Sequence, residues 1–154
     1  MSPKTLLIVY HTETGNTKLM ADLIGEAARK LGVNVRIKRA DDCRIEELAS
    51  GDGLVIGSPT YFSNVSWQMK KLIDESIVLY RADHQLKDKI GGCFTSAGTE
   101  RDAKDCVKIM ELTLGLHHRM KVVPGIYMTP QDQWNDVIKR CEIYGEEIAK
   151  NMTA

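Results

Sequence analysis

Residues 5–17 read TLLIVYHTETGNT, and a helical period takes over from Lys18 onward. The first six positions are an unbroken apolar, β-branched run of strand length, the pattern of a strand covered on both faces. From Lys18, residues Leu19, Met20, Leu23, Ile24, Ala27, Ala28 and Leu31 recur at helical spacing, and Gly32 ends the run. A buried strand, a short hydroxyl-rich loop and an amphipathic helix form the first half of a β-α-β unit. The same alternation continues outward.

Residues 33–38 (VNVRIK) alternate as a strand with one wetter face, and 44–49 allow a short helix. Residues 53–57 (GLVIG) are a second buried strand. Val65, Met69, Leu72 and Ile73 mark the apolar face of a helix. Residues 76–89 have mixed character and read as a long connection. Residues 90–95 (IGGCFT) form a fourth strand weakened by two glycines. Cys106, Ile109, Met110, Thr113, Leu114 and His117 share one helix face. Residues 121–128 (KVVPGIYM) are a fifth strand interrupted by Pro124-Gly125, which marks an edge or bulged strand. Trp134, Val137, Ile138, Cys141, Tyr144 and Ile148 stripe the last helix.

Five β-α units in 154 residues predict one domain, 1–154. Its expected form is α/β: a five-stranded parallel sheet with helices on both faces, in the order 2-1-3-4-5. Ligands in that architecture sit beyond the carboxyl ends of the strands. The informative loops are therefore those after Tyr10, Gly57 and Thr95.

The first loop, residues 11–17 (HTETGNT), carries three hydroxyls and a glycine and runs straight into a helix. A helix N-terminus offers unpaired N–H groups and a favourable dipole to an anion. Thr12, Thr14 and Thr17 can add hydroxyl donors, and Gly15 allows close backbone approach. The loop suits a single terminal phosphate; it is neither a Walker loop nor a GxGxxG turn. The plainer reading is a Thr-capped helix. The second loop, residues 58–64 (SPTYFSN), is stiffened by Pro59. It sets Tyr61 and Phe62 at the sheet's mouth, with Thr60, Ser63 and Asn64 as polar anchors for a flat, apolar ligand. Alternatively it is a proline turn whose Phe62 returns to the core. The third, residues 95–99 (TSAGT), is small and hydroxylated.

Composition narrows the classes. Lys+Arg and Asp+Glu are 21 each, so the formal net charge is zero. That balance disfavours nucleic acid and lacks the acidic surface of a carrier that docks on basic partners. No apolar run is long enough to span a bilayer, and the start of the chain lacks a signal-peptide pattern. Cys43, Cys93, Cys106 and Cys141 are spaced for neither zinc nor a disulfide framework, which suits a reducing cytoplasm. No metal site is expected. A phosphoacceptor receiver domain would share the strand order but needs carboxylates where this chain has His11 and Ser58.

TETGNT, GSPTYFSN, FTSAGT and LHHRM in this order resemble the flavodoxin superfamily, and more closely the WrbA-type NAD(P)H:quinone oxidoreductases. The resemblance runs over nearly the whole chain and implies a flavodoxin-like three-layer sandwich with noncovalent FMN. It implies that Thr12, Thr14, Gly15, Asn16 and Thr17 hold the phosphate. Pro59, Thr60, Tyr61, Phe62 and Asn64 would flank the isoalloxazine, and Thr95, Ser96, Gly98 and Thr99 its pyrimidine edge and ribityl chain. Tyr80 falls where that family places an aromatic near the flavin. His118 falls where it places a histidine facing the substrate pocket.

The departures are specific. The long segments that family inserts are absent, including the one tied to its tetramer. Glu100-Arg101-Asp102 replaces a glycine-rich stretch, Tyr61 an arginine, and Ser63 a glycine. They leave FMN expected and place the nicotinamide and quinone pocket in question. The implied activity is NAD(P)H-dependent reduction of quinones or similar acceptors, with NAD(P)H as donor and a homodimer or tetramer as assembly. The alternative is an electron carrier between protein partners. A carrier of this superfamily commonly turns over a peptide beside the flavin, which glycine permits and serine resists. Three further residues have two readings each. His118 is a substrate residue or a cation at a helix end. His11 touches phosphate or shapes its loop. Trp67 is a lone exposed ring or a subunit contact.

Overall fold

The computed structural model describes residues 2–154. β1 (Thr5–Tyr10) is the centre of the sheet's left half, hydrogen-bonded in parallel to β2 (Asn34–Arg39) on one side and β3 (Gly53–Tyr61) on the other. β3 pairs in parallel with β5 (Ile90–Ser96). Beyond β5 lie β6 (Lys121–Val122) and β7 (Ile126–Met128), both parallel to it. The order β2-β1-β3-β5-β6 is the expected 2-1-3-4-5 once β6 and β7 are recognised as two halves of the fifth strand. The sheet has seven strands rather than five because that strand is split, and because β4 (Asn64–Val65) folds back antiparallel on the end of β3.

Alternation along β1 explains the two cores. Leu6, Ile8 and Tyr10 face one side, with α1 (Asn16–Lys30) and α5 (Trp134–Thr153) packed over them through Met20, Ile24, Cys141 and Ile148. Leu7 and Val9 face the other, under α2 (Trp67–Glu75), α3 (Ile77–Arg81) and α4 (Glu100–Glu111). α3 occupies part of the 76–89 stretch that sequence pattern alone left as a connection.

The break in the fifth strand follows from Pro124 and Gly125. Pro124 has no N–H to give to a ladder. A Cβ at Gly125 would stand 2.6 Å from Cys93 Sγ and 2.9 Å from the Cys93 carbonyl oxygen, so only glycine lets the chain rejoin β5 there. The rung lost at Cys93 is replaced by Tyr144 of α5. Its hydroxyl accepts from the Cys93 N–H and donates to the Val123 carbonyl, each at 3.0 Å. Gly92 leaves the room for it, since a Cβ there would lie 2.6 Å from that hydroxyl oxygen.

α4 does not end as an α-helix. Residues Leu112–His117 wind as a π-helical turn, and the His118 N–H bonds the Thr113 carbonyl at 3.0 Å, five residues back. The extra residue per turn shifts the face. The 3.6-residue period set by Cys106, Met110 and Leu114 put His117 in the core; instead His117 is exposed and His118 is buried.

Candidate functional site

A cleft of about 360 Å³ opens where β1, β3, β5 and β7 end. All four strands point their carboxyl ends at it, the position a doubly wound sheet reserves for a ligand. Glu13, Thr14, Asn16 and Thr17 line it from the first loop, Pro59, Thr60 and Tyr61 from the second, and Ser96, Ala97 and Gly98 from the third.

The first loop ends at the N-terminus of α1. Gly15 is the N-cap residue, left-handed at φ 99°, and no side chain caps the helix. Thr12 turns inward instead: its Oγ1 accepts from the Gly15 N–H at 3.0 Å. The helix start therefore keeps its amides uncapped beside the cleft, and its first turn contains no acid. Thr14 and Asn16 are exposed there, whereas Thr17 is buried and bonded to Ser96 Oγ at 2.9 Å, tying the first loop to the third. His11 is buried, and its Nε2 lies 2.7 Å from Glu13 Oε1; it shapes the loop.

The second loop is a two-residue hairpin, with Thr60 opposite Val65 and Tyr61 opposite Asn64. Its tip residues are both left-handed, Phe62 at φ 51° and Ser63 at φ 65°. This is the geometry of a type I′ turn, which usually employs Asn-Gly. Holding two residues with Cβ atoms there costs roughly 1–2 kcal/mol each. One compensation is visible: Ser63 Oγ donates to Asp102 Oδ1 of α4 at 2.9 Å. Phe62 does not return to the core but stands fully exposed at the tip, off the cleft wall. Tyr61 does line the cleft, and partial burial with the nearby Glu13 carboxylate pushes its phenol up, so the ring stays neutral. Asn64 faces away, its Oδ1 accepting from the Val65 N–H at 2.7 Å.

Two residues of the third loop serve the scaffold. Thr95 is fully buried, its hydroxyl shared between Thr60 Oγ1 and the Ser58 carbonyl, each at 2.6 Å. Thr99 caps α4, accepting from the Asp102 N–H at 3.2 Å. Neither lines the cleft; Ser96 and Gly98 do. A Cβ at Gly98 would meet nothing within 4 Å, so the wall there is open.

Within one chain Tyr80 and His118 lie apart from the cleft. Both lie at the opposite end of the sheet. α4 starts at the carboxyl end of β5 and runs back along it, so His118, just before β6, comes out at the strands' amino ends. β5 separates the two places by its length, roughly 20 Å for seven residues. Within one chain neither residue can touch a ligand in the cleft. The helix-end reading of His118 fails as well: burial, with His117 and His84 close by, pushes it below the usual histidine range, so it is no cation at neutral pH.

The cleft also has walls that the three-loop reading omitted. Met128, Thr129 and Pro130 close it from the end of β7. The rule that placed the first three loops applies equally to the fifth strand. Nearby, Asp132 and Arg140 clamp the turn after β7 with a 3.1 Å ion pair.

The profile of the NADPH-dependent FMN reductase family matches residues 43–134. A flavodoxin of Aquifex aeolicus is 44% identical over 94 residues, 60% of this chain and 50% of that protein. An NAD(P)H dehydrogenase (quinone) of Bradyrhizobium is 30% identical over 138 residues, covering 77% of this chain and 69% of that one. The chain thus spans half the length of the first relative. Among solved structures, a WrbA-like flavodoxin from Agrobacterium tumefaciens superposes with a TM-score of 0.81, over 97% of this chain and 98% of that one, at 23% identity. At that identity the likeness speaks for the fold.

Proposed function

This chain belongs to the NADPH-dependent FMN reductase family, within the flavodoxin superfamily, and from that premise we propose that it oxidises NAD(P)H and reduces quinones or similar small acceptors by two electrons. FMN-dependent redox chemistry comes with the family; the donor, the acceptor and the electron count are the proposal. The cleft fits the cofactor by its chemistry: an uncapped helix start for a phosphate, an open glycine wall and a neutral aromatic ring. FMN held there would supply hydride acceptance from NAD(P)H and two-electron transfer to the acceptor, one of the acceptor's two protons arriving with the hydride and the other from water.

The protein's part is to bind and orient. Thr14 and Asn16, with the first amides of α1, would hold the phosphate; Pro59, Thr60 and Tyr61 would flank the ring; Ser96 and Gly98 would meet its polar edge. The observation that carries the two-electron reading is the pinned hairpin. Its tip residues are held by two cross-strand ladder pairs at the base of the turn and by Ser63 on Asp102. A tip so held cannot turn over cheaply as the flavin's charge changes, so single-electron states gain little from it. One observation favours the carrier instead: Phe62, fully exposed beside the cleft, is a ready contact for a protein partner.

An anaerobic absorbance titration separates the two. NADH or NADPH is expected to bleach the FMN-loaded protein at one nucleotide per flavin. No bleaching with either, together with dithionite bleaching in two separated stages, would establish the carrier. A homodimer or tetramer belongs to the same proposal, with Trp67, 71% exposed at the start of α2, as its contact. Trp67→Ala is expected to halve the mass seen by light scattering, and an unchanged mass removes Trp67 from the interface.

A further inference from the structure

Behind the cleft runs a hydrogen-bond chain that has only one possible direction. Thr95, fully buried near the end of β5, donates its hydroxyl proton to the Ser58 carbonyl at 2.6 Å. Two oxygens that close need a proton between them, and a carbonyl has none to give. The only other carbonyl near that hydroxyl, that of Ser96 at 3.4 Å, is an acceptor as well. Thr60 Oγ1 lies 2.6 Å from the same Thr95 oxygen. Of the two hydroxyls only Thr60 still has a proton to offer, so Thr60 donates and Thr95 accepts. The chain runs from Thr60 to Thr95 to Ser58, inward from the cleft.

The neighbours hold that direction. Thr95 stands opposite Ser58 in the β3–β5 ladder, and Thr60 is tied on its other side to Val65 of β4. Both threonines are β-branched, so their side chains have little rotamer freedom. The Cys106 thiol of α4 is buried against the two hydroxyls. Burial pushes that thiol up, so it stays protonated, and a neutral sulfur is too weak an acceptor to draw the Thr60 proton from an oxygen.

Thr60 is half-buried and lines the cleft. With its proton committed inward, its oxygen offers the cleft lone pairs and no donor. The α1 end of the cleft is the reverse, since its uncapped amides only donate. The cleft is therefore polarised, with donors where a phosphate would lie and a bare acceptor beside the ring. A flavin ring changes in this very property on taking a hydride, because a ring nitrogen that accepted hydrogen bonds becomes an N–H donor. A bare acceptor discriminates between the two forms, as it can pair with the added N–H and has nothing to give the lone pair that precedes it.

We propose that Thr60 is a redox-selective hydrogen-bond acceptor, which favours the reduced FMN ring over the oxidised one and so raises the cofactor's potential, and that Thr95 is the positioning residue that makes it one. Thr95 touches no ligand; it acts by taking the Thr60 proton. The proposal rests on the reading of the cleft as the FMN site. It is independent of which donor, acceptor or electron count holds there.

The test uses the full chain, with FMN affinity measured in both redox states and the two-electron midpoint potential read against a reference dye under dithionite. Thr60→Val keeps the branched shape and removes the acceptor. Reduced FMN is expected to lose about tenfold more affinity than oxidised FMN, as for one hydrogen bond, which lowers the midpoint potential by about 30 mV. Thr60→Ser keeps the hydroxyl and is expected to keep the parent potential. Thr95→Val frees the Thr60 proton to turn into the cleft, and the potential is expected to fall at least as far; Thr95→Ser should restore it. An unchanged or raised potential in Thr60→Val overturns the proposal. A folded Thr95→Val with the parent potential does the same, since a merely structural Thr95 would weaken both redox states alike. Should Thr95→Val fail to fold, the two Thr60 variants still decide the matter. Asn16→Asp, at the phosphate end, marks failure of the site itself: it should weaken both redox states through the phosphate they share. FMN affinity indifferent to both Asn16→Asp and Thr60→Val would place FMN elsewhere and overturn the cleft reading with the proposal.

Discussion

Tyr144→Phe is expected to lower the unfolding free energy by about 2–4 kcal/mol, and the melting temperature by roughly 5–15 °C. The substitution removes one oxygen and no packing. Its effect comes from what that oxygen does: it accepts from the Cys93 N–H and donates to the Val123 carbonyl, both buried in the gap that Pro124-Gly125 opens in the edge of the sheet. Each orphaned group then bears its own desolvation penalty, roughly 1–3 kcal/mol. Urea unfolding with an unchanged slope is the measurement. A loss below about 0.5 kcal/mol would mean that the β5–β7 edge closes without the phenol. The effect should also reach the cleft, because the same edge carries Met128, Thr129 and Pro130 into its wall.

The architecture was legible because two periods rarely mimic each other. The buried runs at residues 5–10 and 53–57 and the helical stripes at 18–31 and 137–148 alternate without ambiguity, and the parallel sheet with helices on both faces follows. Pro124-Gly125 announced the broken edge strand, though not that Tyr144 would bridge it from twenty residues on. The cleft loops were legible for the same topological reason. What escaped was whatever depends on local winding. A π-helical turn leaves the apolar spacing of residues 106–114 looking like ordinary α-helix, so the exchange of His117 for His118 in the core could not be read from it. The hairpin tip was hidden too, since Phe62-Ser63 is not a residue pair that advertises a left-handed turn.

The distance of Tyr80 and His118 from the cleft of their own chain has a different cause. Chain direction alone decides it. In a parallel sheet each crossover helix returns to the amino ends of the strands. A residue at the end of α4 therefore cannot meet, within the same chain, a ligand held at the beginning of α4. The resemblance identifies the motif, and the topology of one chain sets its distance from that chain's cleft.

The second large effect tests the phosphate end of the cleft. Asn16→Asp is expected to act in opposite directions on the protein and on its cofactor. Asn16 is the first residue of α1, exposed, and no acid occupies that turn. A carboxylate there complements the helix dipole and should stabilise the FMN-free protein by about 0.3–1 kcal/mol. The same carboxylate would compete with a phosphate for the uncapped amides and repel its charge. Unit charges near a surface interact by about 4 kcal/mol at 4 Å, so FMN affinity should fall by about 2–4 kcal/mol, some thirty- to a thousandfold. Flavin fluorescence titration reads the loss, and it should shrink as salt screens the repulsion. Riboflavin, which lacks the phosphate, should bind Asn16→Asp and the parent protein alike. An equal loss for riboflavin and FMN would show that position 16 senses the ring or its chain, and would move the phosphate away from α1.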